Sequence, residues 1–162
     1  MDLEPILQGL VLLLVANGTP VVATRLLGSH AAWPLDGGLV LADGRPLLGS
    51  SKTVRGVLLG VTATALAASL LGLGWTLGAL LGAAAMAGDL LSSFIKRRMG
   101  LAPSSQAVGL DHVPEGLLPL FACRAALGLS LPGVLLTTLL FWLGSVILSR
   151  ALFALKIRDR PY

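Results

Sequence analysis

The sequence predicts an all-α, polytopic integral membrane protein of about five transmembrane helices, and three observations carry that expectation. Of 162 residues, 55% are hydrophobic and only 12% charged, and the mean hydropathy is +0.86, a balance that soluble domains do not reach. Apolar runs such as Val57 to Leu71 and Val134 to Leu148 are nearly continuous, without the alternation that a membrane β-barrel strand needs. Few aromatics and 20 glycines suit helices that approach one another through small residues. The length fits one membrane domain over residues 1–162 and leaves no room for a second.

The first span is expected over residues 6–23. It follows Asp2 and Glu4 rather than a basic segment and shows no small-residue cleavage site, so it reads as a retained span rather than a removable signal peptide. Pro20 withholds a backbone donor from a carbonyl near Ala16, in a stretch that also holds Asn17, Gly18 and Thr19, so the end of this span is expected to be broken, with a simple proline kink as the blander reading. Residues 29–53 are rich in glycine, proline, hydroxyl and basic side chains and are expected to form a long loop suited to phosphate. Its GSSKT segment lacks the spacing and the preceding strand of a P-loop, which excludes that motif. The second and third spans, 57–73 and 75–95, form an antiparallel hairpin. Gly56 with Gly60, and Gly78 with Gly82, are spaced for close helix packing. A second loop over 96–113 leads to the fourth span, 114–131, and the fifth, 132–154.

The charges suggest an orientation. With the N-terminus outside, Arg45, Lys52 and Arg55, then Lys96, Arg97 and Arg98, then Lys156, Arg158 and Arg160 all fall on the cytoplasmic side, as the positive-inside rule requires. The two turns on the other face carry no Lys or Arg. The expectation is a multi-pass protein of the cell (cytoplasmic) membrane with a cytoplasmic C-terminus and no nucleic-acid partner.

Chemistry concentrates between Gly88 and Glu115. Asp89 sits in an apolar run, where an ionised side chain costs roughly 2.5 to 3.5 kcal/mol at the helix centre and marks a functional site by default. On a helix, Asp89, Ser92 or Ser93, and Lys96 share one face. Asp111 and Glu115 are four apart at a helix start, where Pro114 is acceptable and anions are favoured. Three carboxylates, with Cys123 the lone cysteine and no convincing histidine pair, point to a hard cation such as Mg2+ rather than zinc. Carboxylates amid cations at one membrane face are what metal-assisted phosphoryl or nucleotidyl transfer needs. The same residues admit blander readings. Asp89 would simply be neutralised by a basic neighbour, and Lys96, Arg97 and above all Arg98 would be topology anchors. Arg124 could balance a carboxylate or bind phosphate, and His112 could be an ordinary loop hydrogen-bonder. A small transporter or a non-catalytic membrane scaffold stays open as an alternative, although no internal repeat of the kind transporters carry is visible.

Several segments, in this order, resemble the CDP-archaeol synthase family of membrane enzymes, relatives of the phosphatidate cytidylyltransferases. They are Ala16-Asn17-Gly18-Thr19-Pro20, Pro34-Leu35-Asp36-Gly37-Gly38, Asp43-Gly44-Arg45, Leu48 through Gly56, Gly88-Asp89 with Ser93 through Arg98, and Leu110-Asp111-His112. The resemblance implies transfer of CMP from CTP to a lipid phosphate, of the isoprenoid glycerol phosphate or phosphatidate kind, in phospholipid biosynthesis. It implies Asp89 and Asp111 as metal ligands, with Glu115 supplying a further carboxylate, and Lys96 as a phosphate contact that is catalytic together with Asp89 and Asp111. Lys52, Arg55, Ser93 and Arg97 would contact substrate, and Asn17, Asp36 and Asp43 would border the nucleotide or metal pocket. The family commonly reads G-D-G-K-T where this chain has Ser50, and L-D-x-x-D where it has Pro114 followed by Glu115.

Overall fold

The computed structural model describes residues 3–105, 107 and 109–154, and of Leu152 only the backbone. Asp2 and the basic tail, Lys156, Arg158 and Arg160, lie outside the described residues.

The apolar N-terminal run folds into α1 (Leu3–Leu27), with Glu4 in its first turn and Arg25 in its last, each complementing the helix dipole. The expected break at Pro20 does not occur: α1 is continuous through it. Packing explains why. A Cβ on Gly60 would lie 3.1 Å from the Ala16 carbonyl that the proline leaves without its helical donor, so the neighbouring helix covers that site closely. Asn17 and Thr19 turn their polar atoms back on the same helix, donating to the carbonyls of Leu13 and Val15 at 3.0 and 2.7 Å.

Thr53 ends the first loop and starts α2 (Val54–Leu70), its hydroxyl accepting the Gly56 N–H at 3.1 Å as an N-cap. A tight turn with Gly72 and Gly74 at positive φ leads to α3 (Trp75–Arg98). Pro114 sits in the first turn of α4 (Val113–Leu127), which closes on left-handed Gly128. The chain then enters α5 (Leu131–Ala154). Among the described residues the fold is therefore all-α with five helices, as the sequence predicts. By length and composition α1, α3 and α5 can each cross a membrane. The 17 residues of α2 and the 15 of α4 make rods of about 26 and 23 Å, shorter than the roughly 30 Å hydrocarbon core.

The first helix is central and packs on all four others, whereas α5 packs on α1 and α4. The main core joins Leu12, Leu13, Leu81, Leu120, Val134 and Phe141. Small residues bring α2 and α3 together. A Cβ on Gly78 would lie 2.5 Å from both the Ala68 Cβ and the Thr64 carbonyl oxygen, so only glycine permits this approach. The same device joins α3 to α4 at Gly88, and it sets up the site.

Residues 28–53 are ordered by turns and two isolated bridges, Pro34 with Thr53 and Val40 with Pro46, rather than by strands.

Candidate active site

The approach of α3 to α4 is set by Gly88, where a Cβ would fall 2.4 Å from the Pro114 carbonyl oxygen and 2.9 Å from the Glu115 Cα. Contact this close places the next residue, Asp89, against α4, and the Glu115 carboxyl comes within hydrogen-bonding reach of it. The third partner arrives from the first loop: the Lys52 ammonium lies 2.5 and 2.6 Å from the two oxygens of Asp89. A cation beside two adjacent carboxyl groups offsets part of their mutual repulsion.

One to two turns further along α3, Ser92, Ser93, Lys96 and Arg97 are all buried. Lys96 donates to Asp111 at 2.5 Å and to the Ser105 carbonyl at 3.1 Å, and the second oxygen of Asp111 accepts the Ala107 N–H at 2.6 Å. The Ser92 hydroxyl lies 2.7 Å from the Leu110 carbonyl and 2.9 Å from that of Gly88, which pins the start of the α4 segment to α3. Arg97 is 3% exposed and donates from Nη2 to the Ala102 carbonyl at 2.8 Å, while its buried Nε and Nη1 have no hydrogen-bond partner among the described residues. Buried guanidinium N–H groups left unpaired are costly, and they mark where an anion belongs. Beside them stands Gly49, left-handed at φ 97°, where a Cβ would lie 3.4 Å from Arg97 Nη1.

Other expected site residues occupy different positions. Both oxygens of Asp36 accept backbone N–H groups, from Gly38 at 3.0 Å and from Leu48 and Gly49 at 2.8 and 3.2 Å. Desolvation works to raise its pKa, but these donors outweigh it and hold the carboxyl below the ordinary value of 3.8. Asp43 pairs with Arg98 at 2.6 Å, and Arg98 also donates to the carbonyls of Arg45 and Pro46 while lying over Phe94. Arg98 thereby fastens the first loop to the end of α3. Arg55 donates to the carbonyls of Gly28 and His30, closing the C-terminal end of α1. Asn17 is spent on its own helix. Ser93 is buried beside Ser92.

The structure thus brings Asp89, Glu115 and Lys52 into one group and Lys96 and Asp111 into the next, about two turns along α3. Asp36, Asp43 and Arg55 serve the loop. The three carboxylates do not close on a single metal position: among the described residues no group of three His, Cys, Asp or Glu could hold an ion as they stand. Lys96 and the Ala107 N–H hold Asp111 in its own contacts. Sequence reasoning missed the partners, Lys52 for Asp89 and Ser92 for Leu110, because they lie 37 and 18 residues apart. It also missed Pro119, which sits four residues after Glu115 and so supplies no helical N–H to that residue's carbonyl. That spacing was visible.

A helical membrane bundle carrying paired carboxylates, lysines and an unsatisfied arginine at one end defines a class: an intramembrane enzyme that handles phosphate groups. The CarS-like, CDP-archaeol synthase family model matches residues 3–159. A CDP-archaeol synthase of Methanopyrus kandleri is 37% identical over 145 residues, covering 80% of this chain and 79% of that one. Another, of Pyrobaculum calidifontis, is 33% identical over 153 residues and 91% of each chain. A solved structure described as an intramembrane enzyme for archaeal membrane lipids biosynthesis superimposes with a TM-score of 0.66 at 29% identity, covering 85% of this chain and 90% of that one. The chain belongs to the CDP-archaeol synthase family. It is a multi-pass membrane enzyme of the cytidylyltransferase class.

Because a planar fork and a point charge differ, Arg97→Lys tests the anion site. The lysine keeps the charge but cannot present two N–H groups in one plane. The expected result is an increase in KM for the nucleotide of about tenfold with a smaller change in kcat, measured by steady-state kinetics.

Proposed function

We propose that this enzyme transfers CMP from CTP to a lipid phosphate, an isoprenoid glycerol phosphate in the first instance, with pyrophosphate leaving. The observation that carries the reading is the double ion-pair row at the end of α3: Lys52 on Asp89 beside Glu115, and Lys96 on Asp111. The α-phosphorus of CTP accepts an oxygen of the lipid phosphate, and the bond from that phosphorus to the oxygen bridging toward the β-phosphate breaks. No protein nucleophile is needed, so positioning and charge supply the catalysis.

In this reading the two lysines, paired with Asp89 and Asp111, turn to phosphate oxygens when substrate arrives. Arg97 offers Nε and Nη1 to the phosphate chain, with Gly49 leaving room beside them. Hard carboxylate oxygens of Asp89 and Glu115, close together beside Lys52, suit Mg2+, and Asp111 would join them only by leaving its contacts with Lys96 and the Ala107 N–H. Mg2+ bound there would neutralise charge on the phosphates and on the departing pyrophosphate. The N-terminus faces outside and both loops face the cytoplasm, where CTP reaches the site from water and the lipid from the bilayer of the cell membrane.

The test is to supply purified enzyme with CTP and a panel of ether- and ester-linked lipid phosphates, with Mg2+ titrated and then removed by chelation. CDP-lipid formation that follows Mg2+ and favours isoprenoid acceptors is expected. Equal activity after complete chelation would refute the metal requirement, and a preference for diacyl acceptors would refute the lipid assignment.

A further inference from the structure

We propose that Asp36 is a positioning residue: its carboxylate folds the 48–52 turn that delivers Lys52 to Asp89. The inference rests on the functional reading above and assigns Asp36 a task other than touching nucleotide or metal.

The chain of contacts is continuous. One Asp36 oxygen accepts the Gly38 N–H, an Asx-type turn that rigidifies the residue's own surroundings. The other oxygen reaches 12 and 13 residues ahead to the N–H groups of Leu48 and Gly49 at 2.8 and 3.2 Å. The Gly49 carbonyl then accepts the Lys52 N–H at 3.1 Å, closing a turn of four residues. The Lys52 carbonyl in turn accepts the N–H of Leu35, Asp36's neighbour, at 2.8 Å, so the turn is anchored at both ends to the segment that carries Asp36. From this frame the Lys52 side chain reaches Asp89, and Gly49 packs beside Arg97 and against Pro103. Lys52 is therefore registered through one carboxylate, and neither oxygen of Asp36 is left without a protein donor.

A positioning role and a ligand role differ in a double-mutant cycle. Asp36→Ala, Lys52→Ala and the double variant are compared for CMP transfer and for thermal unfolding. Acting through Lys52, Asp36→Ala lowers kcat/KM by about tenfold or more, and the double variant is no worse than Lys52→Ala alone, within about twofold. Multiplied losses in the double variant would overturn the proposal, because they would mean an independent contact with substrate or metal. Asp36→Asn keeps one acceptor oxygen and serves where the alanine variant unfolds, with an intermediate loss expected.

A readout free of catalysis separates this proposal from the reaction assigned above. In a Cys123→Ala background, cysteines replacing Lys52 and Asp89 are bridged by a short bifunctional maleimide, and the bridged fraction is read by intact mass. Introducing Asp36→Ala into that background should cut bridging severalfold at unchanged helical content. Unchanged bridging would overturn the proposal whether or not CMP transfer is detected, whereas absent transfer with Asp36-dependent bridging would refute only the reaction.

Discussion

Asp89→Asn is expected to lower CMP transfer by about a thousandfold while the protein remains folded, the scale of losing one fixed electrostatic group at a reacting centre. The amide matches the carboxylate in shape, so the Gly88 contact with α4 is undisturbed. What is lost is the charge that pairs with Lys52 over both oxygens and that lies beside the Glu115 carboxyl. Lys52 is 20% exposed at its side chain and its partner 24%, so the pair is largely shielded from water and its loss is felt more than that of a surface bridge. Asp111→Asn should lower activity less, because it frees Lys96, which still holds the Ser105 carbonyl. Single-turnover kinetics with saturating CTP check both. A wild-type rate in Asp89→Asn would remove this residue from the chemistry.

Gly88→Ala should impair the enzyme almost as strongly by a different route. The added Cβ meets backbone, the Pro114 carbonyl at 2.4 Å and the Glu115 Cα at 2.9 Å, and backbone cannot rotate out of the way. Overpacking of this kind costs about 1–3 kcal/mol, against about 0.5–1 kcal/mol that alanine gains over glycine within a helix. The net stability change is modest, but α3 and α4 must separate, and Asp89 separates from Glu115 with them. Misplacement by about an ångström is worth roughly a hundredfold in rate. Gly18→Ala and Gly144→Ala are the controls, since nothing lies within 4 Å of either added carbon, and both should retain activity and thermal stability.

These contacts show what the sequence could and could not convey. The five helices were legible because each apolar run is long and bounded by glycine, proline or charge, and those signals are local. The continuity of α1 through Pro20 was not, since it depends on Gly60 of another helix covering Ala16. Asp89 announced itself as a carboxylate in an apolar run, and helical periodicity put Lys96 on its face. The same periodicity pointed to Lys96 as its companion, whereas Lys96 holds Asp111 and Lys52 holds Asp89. Spacing along one helix cannot reveal a lysine arriving from a loop 37 residues away. Arg98 and Asp43 tell the same story: a terminal arginine that reads as an anchor is the clasp between loop and helix. The loop read as a long polar stretch suited to phosphate, and its turns are set in part by Asp36, which finds backbone donors a dozen residues downstream.

The most direct test of the central claim compares CTP labelled at the α-phosphorus with CTP labelled at the γ-phosphorus, each incubated with the enzyme, Mg2+ and an isoprenoid glycerol phosphate. The account predicts that α-label enters the organic phase as lipid-linked CMP while γ-label leaves as pyrophosphate. Label from the γ-position in the lipid, or no transfer from either in folded protein, would contradict it.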